Sequence, residues 1–323
     1  MNSLFGSRDT AAAAPAGPPK TDVLVTKEKA IEDLEAAQKD SGITVVKFQE
    51  GVDITEATCA AFSALLRGDN RSWEAIAVDM LRKNARWNKI NFEGCKGSHL
   101  DHCITLLLAL DNAHTLQLSS IRLSQFTAYS LETIAFNTHL KNLELDLLEL
   151  TDSVPALSRA LKRNKSLEVL TTSRCGLNDE MLAELIGALE KHPSIQELKI
   201  FGNKCRSKGL NAITELISAP NTAIRLLDLS YQHVGEDEDF DISWLCSAIK
   251  KNTSLKTLDL DNCKIDDGHL AHLTVALCEN KTLEDLRLNH NHITGEGVAL
   301  LAVKFTQMKG LKKISMFSNK FDS

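Results

Sequence analysis

Leu283-Glu284-Asp285-Leu286-Arg287-Leu288-Asn289-His290-Asn291-His292-Ile293 places apolar residues at its first, fourth, sixth and eleventh positions and an asparagine at the ninth. Leu255, Leu258, Leu260, Cys263 and Ile265 repeat that spacing one unit earlier. Ile224-Leu227-Leu229-Gln232-Val234, Ile195-Leu198-Ile200-Asn203-Cys205 and Leu167-Leu170-Thr172-Cys175-Leu177 extend it upstream. Weaker copies begin at Leu140, Ala113 and Trp87, and Leu311-Ile314-Met316-Asn319-Phe321 forms the last. Starts of the nine copies are 26, 27, 27, 28, 29, 31, 28 and 28 residues apart. Self-similarity at one period is the signature of a repeat architecture.

Between the copies the apolar period changes. Leu182, Leu185, Ile186 and Leu189 follow helical spacing, as do Leu270, Leu273, Ala276 and Leu277. Each unit is therefore a short strand, a turn and a helix. Helix exits carry Asn164, Asn252 and Asn280, which the pattern assigns to a left-handed C-terminal residue. Gly209, Gly268 and Gly297 fall near the turns that lead into helices.

A unit of about 28 residues with a full helix resembles the ribonuclease-inhibitor-like subclass of leucine-rich repeats, over residues 87–323. The resemblance implies an α/β solenoid, a horseshoe with parallel strands on the concave face and helices on the convex face. It also implies that the ninth residue bonds the carbonyls of the turn and stacks into a ladder. Asn203, Asn291, Asn319, Cys95, Cys175 and Cys263 fit that slot, whereas Ile121 and Leu148 break it.

The ends differ from the repeats. Residues 1–22, with Ala11–Ala14 and Pro15, Pro18 and Pro19, are expected to be a disordered tail. Residues 23–86 are expected to form an N-terminal helical cap with a degenerate first repeat. Within it, Ala30, Ile31, Leu34 and Ala37 share one helical face, and Ile43, Val46 and Phe48 echo a repeat strand. Residues 55–67 read as a further helix, and residues 72–84 read as a helix in preference to a repeat strand at Trp73–Val78, which would start only 14 residues before Trp87. The ninth strand has no helix after it, which predicts an unpaired edge guarded by Lys312 and Lys313, and a weak homodimer through this C-terminal edge as its simplest cover.

Composition excludes several classes. Net charge is −6, without the basic balance that phosphate binding needs, so no nucleic-acid partner is expected. No stretch approaches the roughly 20 apolar residues of a membrane helix, and there is no secretory h-region. The eight cysteines form no C-x-x-C pair and no disulfide framework, which points to buried thiols and a cytoplasmic setting.

No catalytic constellation emerges, so the chain is not read as an enzyme and no cofactor is expected. The pairs His99/His102 and His269/His272 each lack the further ligands of a metal site and read as solvated outer-helix residues. Gly295-Glu296-Gly297 lacks the Lys-Ser/Thr of a phosphate loop. The acidic run Glu236–Asp239 with Asp241, where the repeat lengthens, reads as a solvated loop or as an acidic finger for a basic partner.

The concave face is read from the second, third, fifth, seventh and eighth motif positions. They bring Phe201 and Tyr231 to neighbouring strands, with Arg174 on one side and Asp228, Asp259 and Asp261 on the other. Arg287 and His290 follow. Exposed aromatics beside arginine are the usual composition of interface hot spots. These eight residues are the candidate partner-binding set, and the expected function is a scaffold or adaptor for a partner protein. The alternatives are a regulator of another enzyme or an oligomeric structural unit. The fold resembles that of Ran GTPase-activating proteins and ribonuclease inhibitor, but the acidic C-terminal tail of the first and the cysteine density of the second are missing. No nucleotide-binding module is seen before the repeats, so an immune-sensor architecture is not expected.

Overall fold

The computed structural model describes residues 22–26, 28–39, 45–48, 55, 57, 58, 61, 89–91, 115–119, 131–203, 207–232 and 242–321. Among these residues, eleven strands make one parallel sheet in strict sequence order. Nine of them are the motif copies: β3 (Lys89–Asn91), β4 (Thr115–Ser119), β5 (Asn142–Asp146), β6 (Val169–Ser173), β7 (Glu197–Lys199), β8 (Leu226–Asp228), β9 (Thr257–Asp259), β10 (Asp285–Arg287) and β11 (Lys313–Ser315). Equivalent motif residues pair throughout, as Leu227↔Leu258 and Leu258↔Leu286 do. Upstream, β2 (Val45–Phe48) continues the sheet where Ile43, Val46 and Phe48 had predicted a strand. β1 (Asp22–Val25) pairs with it and had no motif to announce it. The helix Ala30–Lys39 joins the two. The tail before residue 22, the helix of residues 72–84, Cys95, Ile121, His99, His102 and the acidic run at 236–241 lie outside the described residues.

Alternation explains the sheet. The first, fourth and sixth motif residues are buried in copy after copy, from Leu140, Leu143 and Leu145 to Leu283, Leu286 and Leu288. Each such side chain contributes about 1.5–3 kcal/mol of burial. The opposite wall of this core comes from the helices Asp179–Leu189 and Asp267–Glu279, whose predicted stripes are buried, and from their equivalents in the other repeats.

Two polar ladders close each repeat. At the ninth position the Asn203 carboxamide accepts the N–H groups of Cys175 (3.0 Å) and Leu177 (3.2 Å) and donates to the carbonyls of Thr172 (2.6 Å) and Ile200 (2.8 Å). Asn291 and Asn319 repeat this three and four units further on. Cys175 and Cys263 donate their thiols to the carbonyls of Leu145 and Leu229, and Gln232 donates to Ile200. Leu148 fills the slot as a buried hydrocarbon.

The second ladder corrects an expectation. Asn164, Asn252 and Asn280 end their helices with φ of −63°, −70° and −74° and extended ψ, not in the left-handed region. They are needed for their side chains. Asn164 accepts from Ser166 and Leu167 N–H and donates to the carbonyls of Ile134 and Asn137 in the preceding unit. Asn280 does the same with Thr282, Leu283, Ile249 and Asn252.

Left-handed residues sit elsewhere, at the eighth motif position. Leu147, Arg174, Gly202, Tyr231, Asn262, His290 and Ser318 all have φ between 51° and 64°. Their N–H groups continue the sheet through the turn: Arg174 donates to Phe201 O at 2.8 Å, Tyr231 to Asp261 O at 2.8 Å and His290 to Phe317 O at 2.8 Å. Glycine adopts this conformation freely, so at Leu147, Arg174, Tyr231, Asn262 and His290 the inter-repeat hydrogen bond offsets a cost of up to about 1–2 kcal/mol.

Candidate functional site

Because the eighth residue turns, Arg174, Tyr231 and His290 project from the rim where strands end rather than from the sheet face as the spacing had suggested. Phe201, at the seventh position, also lies in the turn. Rim placement brings three of the candidates together. The rings of Phe201 and Tyr231 meet edge to face with centroids 5.0 Å apart. The Arg174 guanidinium lies 5.4 Å from the Phe201 centroid. Arg174 is itself held by Asp146 through Nε–Oδ1 (3.0 Å), Nη2–Oδ1 (2.9 Å) and Nη2–Oδ2 (2.7 Å). A bidentate carboxylate and a ring fix the guanidinium plane, so little side-chain freedom is left to lose on binding. Tyr231 keeps 45% of its surface exposed and Phe201 is half-buried.

Asp146 was not among the candidates. The signal was available in the spacing, since the seventh residue of one copy lies beside the eighth of the next.

The acidic group is arranged differently from the aromatic one. Asp228 accepts from the N–H and hydroxyl of Ser230 (2.9 and 2.5 Å). Asp259 is buried, accepts the Asp261 N–H at 3.0 Å and binds Arg287 at 3.2 Å. Burial holds the Asp259 carboxyl above the usual carboxylate range; Asp228 and Asp261 push the same way, and the Asp261 N–H and Arg287 oppose them. Asp261 takes both the N–H (2.7 Å) and the amide (2.9 Å) of Asn289. Arg287 also reaches Asp285 at 3.3 Å. Asp259 and Asp261 thus bond across to the next copy, whereas Asp228 braces the turn of its own copy. His290 is exposed on the rim two copies beyond Tyr231.

Other singled-out groups have internal tasks. His269 closes a capping box with Asp266, its Nδ1 lying 2.7 Å from Oδ1. Burial pushes the thiols of Cys175 and Cys263 up to about 12, far from a nucleophilic thiolate. Among the described residues no helix is long and apolar enough to cross a membrane.

A family model described as Leucine Rich repeat matches residues 251–268 and 279–302. NACHT, LRR and PYD domains-containing protein 13 of Homo sapiens is 32% identical over 178 residues, which is 54% of this chain and 16% of that protein. Leucine-rich repeat-containing protein 45 of Gallus gallus is 30% identical over 136 residues, 41% of this chain and 20% of the relative. The chain thus spans no more than a fifth of either relative. Among solved structures, an internalin from Listeria monocytogenes aligns over 94% of this chain and 82% of its own at 15% identity, with a TM-score of 0.46. With its motif copies in register on one parallel sheet, and the family model seated on the seventh and eighth of them, this chain folds as a leucine-rich-repeat solenoid.

Proposed function

We propose that the protein is a binding scaffold or adaptor of the ribonuclease-inhibitor-like subclass, acting in the cytoplasm, and that a partner protein docks on the strand-end rim around Phe201, Tyr231 and Arg174. The observation that carries this reading is the pre-organised trio: an exposed edge-to-face aromatic pair with a stacked arginine locked by Asp146. Aromatic and arginine anchors dominate interface energetics when they are rigid before binding. Asp228, Asp259, Asp261, Arg287 and His290 would form the polar border of the same surface.

The test replaces Phe201 by Ser and Tyr231 by Asn, the residues that stand at the equivalent positions 173 and 262. Asn tolerates the left-handed turn, so the fold should survive and the melting temperature should stay near that of the wild type. Partners recovered from cells would be compared by quantitative mass spectrometry. Loss of two anchors, about 2–4 kcal/mol in aggregate, should deplete at least one partner of the wild type by well over tenfold. Equal recovery of every partner by the folded double variant would place the binding surface elsewhere.

A further inference from the structure

The two rims of the sheet differ in charge. Where helices end and strands begin, six successive links carry the exposed residues Lys165, Lys191, Arg225, Lys256, Lys281 and Lys309, in a chain whose net charge is −6. The acids in these links are Glu168, Glu190 and Glu284, so cations outnumber them, whereas the described links of the opposite rim set Glu149, Asp152, Asp261 and Asp266 against Arg174, Lys264 and Lys320. Helix dipoles account for cations in the last helical turn, such as Lys162, Arg163, Lys250 and Lys251. Their influence falls off within that turn, and the six link residues lie beyond it.

Along this rim the second motif residues form a row. Lys141 pairs with Glu168 at 2.9 Å, and Glu284 pairs with Lys256 at 2.9 Å and Lys312 at 2.7 Å. Between these groups stand Gln196 and Arg225, on adjacent strands joined by Arg225 N–H to Gln196 O at 2.7 Å. Among the described residues Arg225 is the cation of this row with no acidic partner. A cup of about 520 Å³ opens beside it, lined by Arg225, Lys256, Gln196, Thr222, Thr253 and Ser254 among others. Its lining includes two cations and several hydroxyls but no carboxylate and no aromatic ring.

We propose that this helix-exit rim is a second docking surface that takes an acidic peptide segment of a partner protein, with one anionic side chain seated in the cup against Arg225. Charge complementarity steers the segment to the rim, and Lys256 adds a second cation at the cup. The hydroxyls and the Gln196 amide offer the donors and acceptors that a peptide backbone requires. A nucleic acid would want rings to stack its bases, and a membrane would want large apolar side chains to insert; the lining has no ring, and its apolar members are the small Pro193 and Ala223.

The surface is independent of the Phe201–Tyr231 trio, and the experiment separates them. Fluorescence anisotropy would measure binding of a labelled oligoglutamate peptide and of a phosphoserine-containing peptide to the full chain, at low and physiological salt. Phosphatidylserine vesicles and oligothymidine are the competing probes. Arg225→Glu is expected to weaken the preferred peptide by about tenfold or more, and Arg225→Gln by less. Lys208→Glu makes the same charge change on an exposed side chain at the start of the helix Ser207–Ser218, near the opposite rim, and should stay within about twofold of the wild type. The Phe201→Ser, Tyr231→Asn variant should bind as the wild type does. Preference for oligoglutamate identifies a carboxylate in the cup, and preference for phosphoserine identifies a phosphoryl group. The proposal is overturned if Arg225→Glu and Lys208→Glu act alike, if neither peptide binds, or if vesicles or oligothymidine bind more tightly than both peptides. Melting curves of each variant confirm that a loss reports the surface and not unfolding.

Discussion

Replacing Asn203 by Leu tests whether the ninth-position ladder is what couples one repeat to the next. Leu148 occupies the equivalent slot in another copy, so the side chain is compatible with the position. The substitution removes an acceptor for two buried N–H groups, those of Cys175 and Leu177, and a donor for the carbonyls of Thr172 and Ile200. A carbonyl retains a second lone pair for other contacts, but each orphaned N–H costs about 1–3 kcal/mol. The expected loss is therefore about 3–5 kcal/mol. Cys263→Ala is the matched comparison, because it deletes one thiol donation to Leu229 O (3.2 Å) and a single heavy atom, a loss of about 1 kcal/mol. Urea unfolding gives both values, and native-state hydrogen exchange should show the Cys175 and Leu177 amides accelerated in Asn203→Leu alone. If the two variants cost the same, or if those amides stay protected, the carboxamide is not the coupling element.

Two further outcomes follow from buried polar geometry. His192 occupies the helix-exit slot held elsewhere by asparagine, accepts Ser194 and Ile195 N–H at Nδ1 and leaves a buried Nε2 without a partner. Burial lowers its pKa to about 4, so the unfolded chain binds the extra proton between about pH 6.5 and 4. Its contribution is complete above about 6.5 and is lost as pH falls towards 4; allowing for partial exposure, this is about 1–2 kcal/mol. Urea midpoints across that range should fall for the wild type, while His192→Asn should show a flatter profile and a higher midpoint at neutral pH. Gly297→Ala sets helix propensity against packing. Alanine favours the helix Gly295–Lys304 by about 1 kcal/mol, but its methyl would collide with the Asp267 carboxylate that accepts Thr294 N–H (2.9 Å) and hydroxyl (2.6 Å). Hydrogen bonds to a charged acceptor contribute about 1.5–3 kcal/mol each, so net destabilisation is expected, and a raised melting temperature would contradict the contact.

The repeat strands were legible because burial of the first, fourth and sixth residues demands leucine-like side chains at fixed spacing. β1 was not, since Asp22-Val23-Leu24-Val25 is a short run followed by Glu28 where the motif has asparagine or cysteine. Nor was the left-handed turn legible. Leu147, Arg174, Tyr231 and His290 share no chemistry, and their conformation is imposed by backbone bonds from the next copy. The asparagines at the helix exits were visible, but their reason lies in carbonyls some 30 residues away in the chain, such as Ile134 for Asn164. For the candidate site, neighbouring positions correctly brought Phe201 beside Tyr231. The spacing could not tell an outward carboxylate from one already shared with Arg287 or Asn289, because both occupy the same motif positions.

The joint between the copies that start at Leu140 and Leu167 is crossed by unlike side chains, the Cys175 thiol on Leu145 O and the Ser194 hydroxyl on Lys165 O, while the Nε2 of His192 has no partner. Its backbone bonds run on to the eighth position, where Leu147 N–H donates to Ser173 O, as Gly202 N–H does to Ser230 O and Tyr231 N–H to Asp261 O at the joints downstream, and it is crossed by the Lys141–Glu168 and Arg174–Asp146 ion pairs. In mechanical terms this evens the bending stiffness of the arc, because the same backbone bonds recur at seam after seam whichever side chains fill the ladders. A spring without a soft point spreads any change of curvature over all its coils. Arg174, Phe201 and Tyr231 ride on three consecutive coils, so flexing of the whole arc leaves their mutual distances nearly constant.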